Sequence, residues 1–175
     1  MEAPSLSIRR LLAPSEAELR GLAEVLVDCV AGGASVSFLA PLESERALAF
    51  WRRIAEDVRR GARALLVAED ASGILGTAQL VLDLPENQPH RADLAKMLVH
   101  RRARRRGIGD ALLRAAETWA RELGRTILVL DTASADAERL YERNGWQRVG
   151  VVPDYALLPN GELCATVFFY RDLRG

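Results

Sequence analysis

The segment His100-Arg101-Arg102-Ala103-Arg104-Arg105-Arg106-Gly107-Ile108-Gly109 constrains this chain more than any other. Before it, Ala92 to Val99 reads as a strand. After it, Ile108, Leu112, Leu113, Ala116, Trp119, Ala120 and Leu123 recur as one apolar helical stripe that Gly124 brings to a stop. A strand that stops at Val99 and a helix that starts near Gly107 leave the first N–H groups of that helix unpaired, with the positive end of the dipole behind them. Such a junction binds anions. Gly107 and Gly109 carry no side chain to hold a phosphate away from those amides, and Arg104, Arg105 and Arg106 add charge, so a pyrophosphate suits the loop. A glycine pair before a helix is also a common tight connection, so neighbouring segments must decide. Leu112 stands where the third glycine of a dinucleotide fingerprint would fall and no G-K-[ST] follows, which disfavours Rossmann and P-loop sites.

Five arginines in the six positions from Arg101 to Arg106 also permit a nucleic-acid reading. Against it, no aromatic residues interleave with them, and 24 Lys plus Arg balance 24 Asp plus Glu, so the chain as a whole has no electrostatic reason to seek a polyanion. No nucleic acid is expected as a partner. The two cysteines, Cys29 and Cys164, form no C-x-x-C pair and read as reduced. Met1 to Pro4 lack the pattern of a signal peptide, and the longest uncharged run, Cys29 to Leu42, is too short to span a bilayer. The expectation is a cytoplasmic protein without membrane attachment. A length of 175 residues supports one domain, 1–175.

Ser5 to Leu12 reads as a strand, and a helix opened by Pro14-Ser15 follows, with Leu19, Leu22, Ala23, Leu26 and Val30 on one face. Gly32 to Phe38 is made mostly of small residues, lies between two helical patterns, and is expected to be a flexible substrate-side loop and candidate lid. Ala47, Phe50, Trp51 and Ile54 mark the second helix. Ala64 to Ala68 and Ile74 to Leu84 read as a hairpin joined through Glu69 to Gly73. Asp110 with Arg114 and Glu117 with Arg121 stand at i,i+4 spacing on the polar side of the helix after the glycines. Thr126 to Leu130 has the continuous apolar character of a strand buried on both faces. The next helix carries Ala137, Leu140 and Tyr141, with Ser134 or Thr132 as its cap, and Trp146 to Val152 and Leu163 to Arg171 close the chain as strands.

Met97-Leu98-Val99 followed by Arg104-Arg105-Arg106-Gly107-Ile108-Gly109 resembles the motif of the GNAT superfamily of N-acetyltransferases, a strand ending L-x-V and then [QR]-x-x-G-x-[GA]. A second motif of that superfamily, N-x-x-A-x-x-L-Y-x-x-x-G-[FW], matches Ser134, Ala137, Leu140, Tyr141, Gly145 and Trp146 in register, with serine in place of asparagine. The resemblance implies an α/β (α+β) fold, a mixed, mostly antiparallel sheet of about seven strands flanked by about four helices, splayed between the fourth and fifth strands. It implies acetyl-CoA as acetyl donor. Backbone groups of Met97, Leu98 and Val99 would pair with pantetheine and polarise the thioester carbonyl, while Arg104, Arg105, Arg106, Gly107, Ile108, Gly109 and Asp110 would hold the pyrophosphate and Ser134 would stand at a pantetheine contact.

Gly32 to Val36, Asn87 to Val99, Leu130-Asp131-Thr132 and Arg148-Val149-Gly150 are similar to the tabtoxin-resistance acetyltransferases of that superfamily. This narrower similarity implies as acceptor the primary amine of a small polar molecule, an amino-acid-like β-lactam toxin among them. Tyr141 takes the general-acid position of the superfamily, and a core tyrosine is the alternative. Asp131 and Asp93, at the ends of neighbouring strands, are the candidate bases, directly or through water, against a helix cap at Asp131 and a solvated charge at Asp93. His90 and His100 lack metal-ligand spacing, so no metal is expected. A non-catalytic acetyl-CoA-binding regulatory module and a protein N-terminal or lysine acetyltransferase are the alternatives, and a monomer and a homodimer are both compatible with the sequence.

Overall fold

A computed structural model describes residues 6–175; of the first expected strand, Ser5 lies outside the described residues. The first two strands, β1 (Ser7–Arg10) and β2 (Arg63–Asp70), pair antiparallel across the helical excursion of α1 (Glu16–Ala31) and α2 (Ser44–Arg59). Ser15 caps α1 through a reciprocal capping box: its Oγ accepts from the Glu18 N–H at 3.3 Å, and the Glu18 carboxylate accepts from the Ser15 N–H at 2.7 Å. The apolar face expected for α1 is buried in full, and Val25 and Cys29 widen it.

β2 turns into β3 (Gly73–Val81) through Ala71-Ser72, where the Asp70 carboxylate accepts from the Ser72 N–H at 2.8 Å and Gly73 takes φ 108°. β3 ends before Leu84, the expected limit, because the N–H groups of Leu82 and Asp83 turn back to the Ala62 carbonyl. β4 (Arg91–Val99) pairs antiparallel with β3 and leads through one 3₁₀ turn, Arg101–Ala103, into α3 (Ile108–Glu122). β5 (Ile127–Thr132), α4 (Ala135–Arg143), β6 (Gln147–Leu157) and β7 (Leu163–Asp172) complete the chain. The sheet order is β1-β2-β3-β4-β5-β7-β6, and every neighbouring pair is antiparallel except β4 and β5. The mixed seven-stranded sheet with four helices is the expected architecture.

Two cores sandwich the sheet. Leu22, Leu26, Trp51, Leu65, Val67, Ile74 and Leu98 pack under α1 and α2. Leu66, Leu75, Leu80, Leu94, Leu112, Leu113, Leu128 and Phe169 pack under α3 and α4. Three expectations from the polar and apolar pattern change here. Leu123 leaves the α3 stripe and is 40% exposed, because it caps the helix. β5 is not buried on both faces: Leu128 and Leu130 are buried, but Ile127 and Val129 are half-buried and Asp131 is exposed, since the sheet opens beside them. Glu117 does not pair with Arg121 on the surface; it is buried and accepts from Trp146 Nε1 at 2.8 Å, with Arg171 Nε 3.7 Å away. β6 runs on past Val152 to Leu157 by accommodating Pro153 in an edge-strand bulge where Asp154 takes φ 49°. No helix among the described residues is long and apolar enough to cross a membrane.

Candidate active site

β4 and β5 pair at Arg91–Ile127, Ala92–Leu128 and Asp93–Val129, and there the ladder ends. Beyond it β4 continues to Val99 beside β3 alone, while β5 continues to Thr132 beside β7 alone. The parting leaves a slot whose β4 wall has no strand on the β5 side, so main-chain groups there can pair with an extended ligand. β4 also bulges at this point: Gln79 faces Ala95 but Thr77 faces Leu98, and Lys96 takes φ 49° in the extra position. Gly76 lets β3 approach the bulge, because a Cβ there would stand 2.8 Å from the Leu98 carbonyl oxygen.

The slot runs toward the N-terminus of α3. Gly107 is the N-cap in the left-handed region, φ 74°, and the first helical hydrogen bond is Ala111 N–H to Gly107 O at 3.1 Å. The N–H groups of Ile108, Gly109 and Asp110 are therefore free to meet an anion. The arginines divide their work. Arg101 Nε binds Asp28 at 2.9 Å, Arg102 donates to the Ile74 carbonyl, Arg104 Nε donates to the Val99 carbonyl, and Arg106 binds Asp70 at 3.1 Å. Arg105, at φ 61°, forms no ion pair or side-chain hydrogen bond among the described residues. The Asp70 carboxyl is held down at about 2, first by hydrogen bonds from Ser72 and then by Arg106.

Two further residues of this motif also take part in the α3–α4 contact. A Cβ at Gly109 would meet Leu140 Cδ2 at 3.2 Å, so this glycine serves the close packing of α3 against α4. The Asp110 carboxylate pairs not with Arg114 but with Arg143 at 2.7 Å and with Asn144 Nδ2 at 2.8 Å. That places its acid in the α3–α4 contact, where Arg143 keeps it below the ordinary carboxylate range, and leaves its backbone N–H at the cradle.

Tyr141 is buried between Trp146 and Phe169, with ring centroids 5.7 Å from each. Burial, and then the negative charge of Asp131, raises its phenol well above the ordinary value, so the hydroxyl keeps its proton. Asp131 is not the cap of α4. That role is Ser134's, whose Oγ accepts from the Ala137 N–H at 3.3 Å. Asp131 instead accepts from the Thr166 hydroxyl at 2.8 Å, an orienting contact supplied by β7. Asp93 forms an ion pair with Arg91, two residues earlier on the same strand face. Asp131, and not Asp93, is thus the carboxylate whose field reaches Tyr141.

Several residues of the cleft were absent from the sequence reading. Thr166 is one, and Lys96 is another: its ammonium donates to Ser37 Oγ at 3.1 Å and stands 5.8 Å from the centre of the Phe50 ring. Lys96 is also the chain's only lysine against 23 arginines, a signal visible in the sequence. The Gly32 to Phe38 loop does lie on this side, but it is docked. Ser35 Oγ donates to the Leu157 carbonyl at 3.4 Å, and just beyond, Ala40 N–H donates to the Pro159 carbonyl at 2.9 Å. It forms a wall of the cleft held by the β6–β7 hairpin.

Residues 61–148 match the acetyltransferase (GNAT) domain family. The fold is similar to that of an N-acetyltransferase from Staphylococcus aureus Mu50, with a TM-score of 0.81 at 18% identity over 97% of this chain and 99% of the other. A ribosomal-protein-alanine N-acetyltransferase from Brucella melitensis superposes with a TM-score of 0.81 at 23% identity, covering 95% and 99% of the two chains. A phosphinothricin acetyltransferase from Sinorhizobium meliloti, in complex with acetyl-CoA, gives 0.79 at 19% identity over 95% and 88%.

Proposed function

The chain belongs to the GNAT acetyltransferase family, and on that premise we propose that it moves an acetyl group from acetyl-CoA to the primary amine of a small polar molecule. The observation that carries this reading is the parting of β4 from β5 beyond Asp93 and Val129, with the slot running on to the open N-terminus of α3. An extended arm bearing amides fits the unpaired β4 wall, and a pyrophosphate fits the amides of Ile108, Gly109 and Asp110 with Arg105 beside them. Acetyl-CoA supplies the activated acetyl thioester.

The residues of the cleft divide the remaining tasks. Main-chain donors of Met97 to Val99 beside the bulge stabilise negative charge that develops on the carbonyl oxygen. Asp131, oriented by Thr166, takes the proton of the acceptor ammonium, directly or through one water, because only the neutral amine can attack. Tyr141, kept neutral by burial and by Asp131, donates to the departing thiolate, and the second proton that the nitrogen sheds as the tetrahedral adduct collapses restores the phenol. Asp93, paired with Arg91, is the less available of the two candidate bases. Ser134 acts as the helix cap, and its hydroxyl is a weaker candidate for a pantetheine contact than the free asparagine side chain the motif usually carries. Similarity to the tabtoxin-resistance acetyltransferases adds amino-acid-like β-lactam toxins to the acceptors to be tried.

The experiment is thiol release from acetyl-CoA across a panel of amino acids, amino-acid-like β-lactams, polyamines and peptide N-termini. Release that requires a small amine supports the proposal. Release only with peptides would make the chain a protein acetyltransferase, and tight acetyl-CoA binding without turnover on any amine would make it a regulatory module.

A further inference from the structure

Lys96 is presented to the cleft in an unusual way. It occupies the extra position of the β4 bulge with φ 49°, a conformation that costs a non-glycine residue about 1–2 kcal/mol and persists where surrounding structure holds it. Its ammonium has three protons to donate but one hydrogen-bond partner among the described residues, the Ser37 hydroxyl at 3.1 Å. No carboxylate of the described residues lies within ion-pair distance of it, although the chain forms ion pairs freely elsewhere. Two charged groups act on it through space, Arg63 of β2 and Asp131 of β5, the latter beyond the point where β4 and β5 part. Burial comes first in pulling its pKa down, with Arg63 adding and Asp131 opposing. Arg63 is itself held by Asp57 at 3.1 Å and by Gln79 Oε1 at 3.0 Å, so it contributes positive potential without closing on Lys96. Every other basic position in the chain is arginine, and the compact ammonium is what this corner between Ser37 and the Phe50 ring receives.

We propose that Lys96 is a specificity-determining residue which binds an anionic group on the acceptor, a carboxylate lying a few atoms from the reacting amine. A cation and an anion that face each other across a cleft without pairing form a receptor for a ligand of the reverse polarity. The acceptor ammonium meets Asp131, its carboxylate meets Lys96, and the amine is aligned toward the thioester. Phe38 and Phe50, in edge contact at 5.3 Å, form the apolar wall beside this clasp. The inference rests on the acetyl-transfer reading of the same cleft and narrows it to zwitterionic acceptors.

The test uses matched acceptors: leucine against isoamylamine, phenylalanine against phenethylamine, and serine against ethanolamine. For the wild-type protein, kcat/KM favours the carboxylate-bearing member of the pairs that turn over. Lys96→Met lowers that preference by roughly 10- to 100-fold, chiefly through KM, as expected for loss of a charge-assisted hydrogen bond in a partly desolvated site. Ser37→Ala, which removes the hydroxyl that steers the ammonium, lowers it less, by about 3-fold. Thermal melting and acetyl-CoA affinity establish that each variant is folded. A wild-type protein indifferent to the carboxylate, or a Lys96→Met variant that loses both members of a pair equally, overturns the proposal and leaves acetyl transfer standing. Acetyl-CoA binding with no turnover of any amine overturns both.

Discussion

Replacing Tyr141 by phenylalanine separates chemistry from structure in this site. The ring packs between Trp146 and Phe169 and is 4% exposed, and phenylalanine keeps that packing. The phenol forms no hydrogen bond among the described residues, so the folded state loses no bond, and stability should change by no more than about 0.5 kcal/mol. On the proposed mechanism, what is lost is a proton donor kept neutral by burial and by the charge of Asp131. General acid catalysis is worth roughly 10²- to 10⁴-fold, or about 2.7–5.4 kcal/mol of barrier. Tyr141→Phe should therefore lower kcat by that factor, with acetyl-CoA affinity changed less than about 3-fold because the anion cradle and the β4 wall are untouched. Steady-state thiol release gives kcat, calorimetry gives the affinity, and urea unfolding gives the stability. Because the phenol is raised above 10.0, kcat should show no loss from its ionisation below that pH. The folded state also holds this proton more tightly than the unfolded chain does, so wild-type stability should fall as pH rises past 10.0, and the variant should lack that component. A kcat within about 3-fold of wild type, in a variant of unchanged stability, would remove Tyr141 from the chemistry.

Gly76→Ala places a Cβ 2.8 Å from the Leu98 carbonyl, so β4 must move at its bulge; a destabilisation of about 1–3 kcal/mol in urea, with a fall in kcat, is expected. Glu117→Leu strands the buried Trp146 Nε1–H and should cost about 1–3 kcal/mol, most of which Glu117→Gln should restore by keeping an acceptor in place. The Asp70 carboxyl, at about 2 in the fold against 3.8, favours the folded state fully above 3.8 and loses that effect as pH falls toward about 2. Ser72→Ala, which removes the largest cause of the shift, should flatten the acid limb of a stability–pH curve.

Much of the fold was legible because its signals are local. The helix opened by Ser15, the α3 stripe as far as Ala120 and the hairpin connection within Glu69 to Gly73 depend on residues within one or two turns of each other, and the structure places each where the pattern did. The misread residues share a cause. Asp110 and Glu117 stand at i,i+4 spacing from arginines, but residues 34 and 29 positions away, Asn144 and Trp146, claim them. A pattern of spacing cannot show that another helix or strand approaches closely enough to compete.

The same division runs through the site. Sequence alone determined the junction proposed to hold the anion, because a strand end, a left-handed glycine and the first turn of a helix are consecutive in the chain and carry their own free N–H groups and dipole. The tertiary structure decided the acceptor side. Thr166 reaches Asp131 from a neighbouring strand, Ser37 reaches Lys96 across 59 residues, and Arg91 pairs with Asp93. Those choices depend on sheet register, on the parting of β4 from β5 and on a one-residue bulge. In a sheet a shift of one position turns every side chain to the opposite face, so no reading of residues in order can assign them.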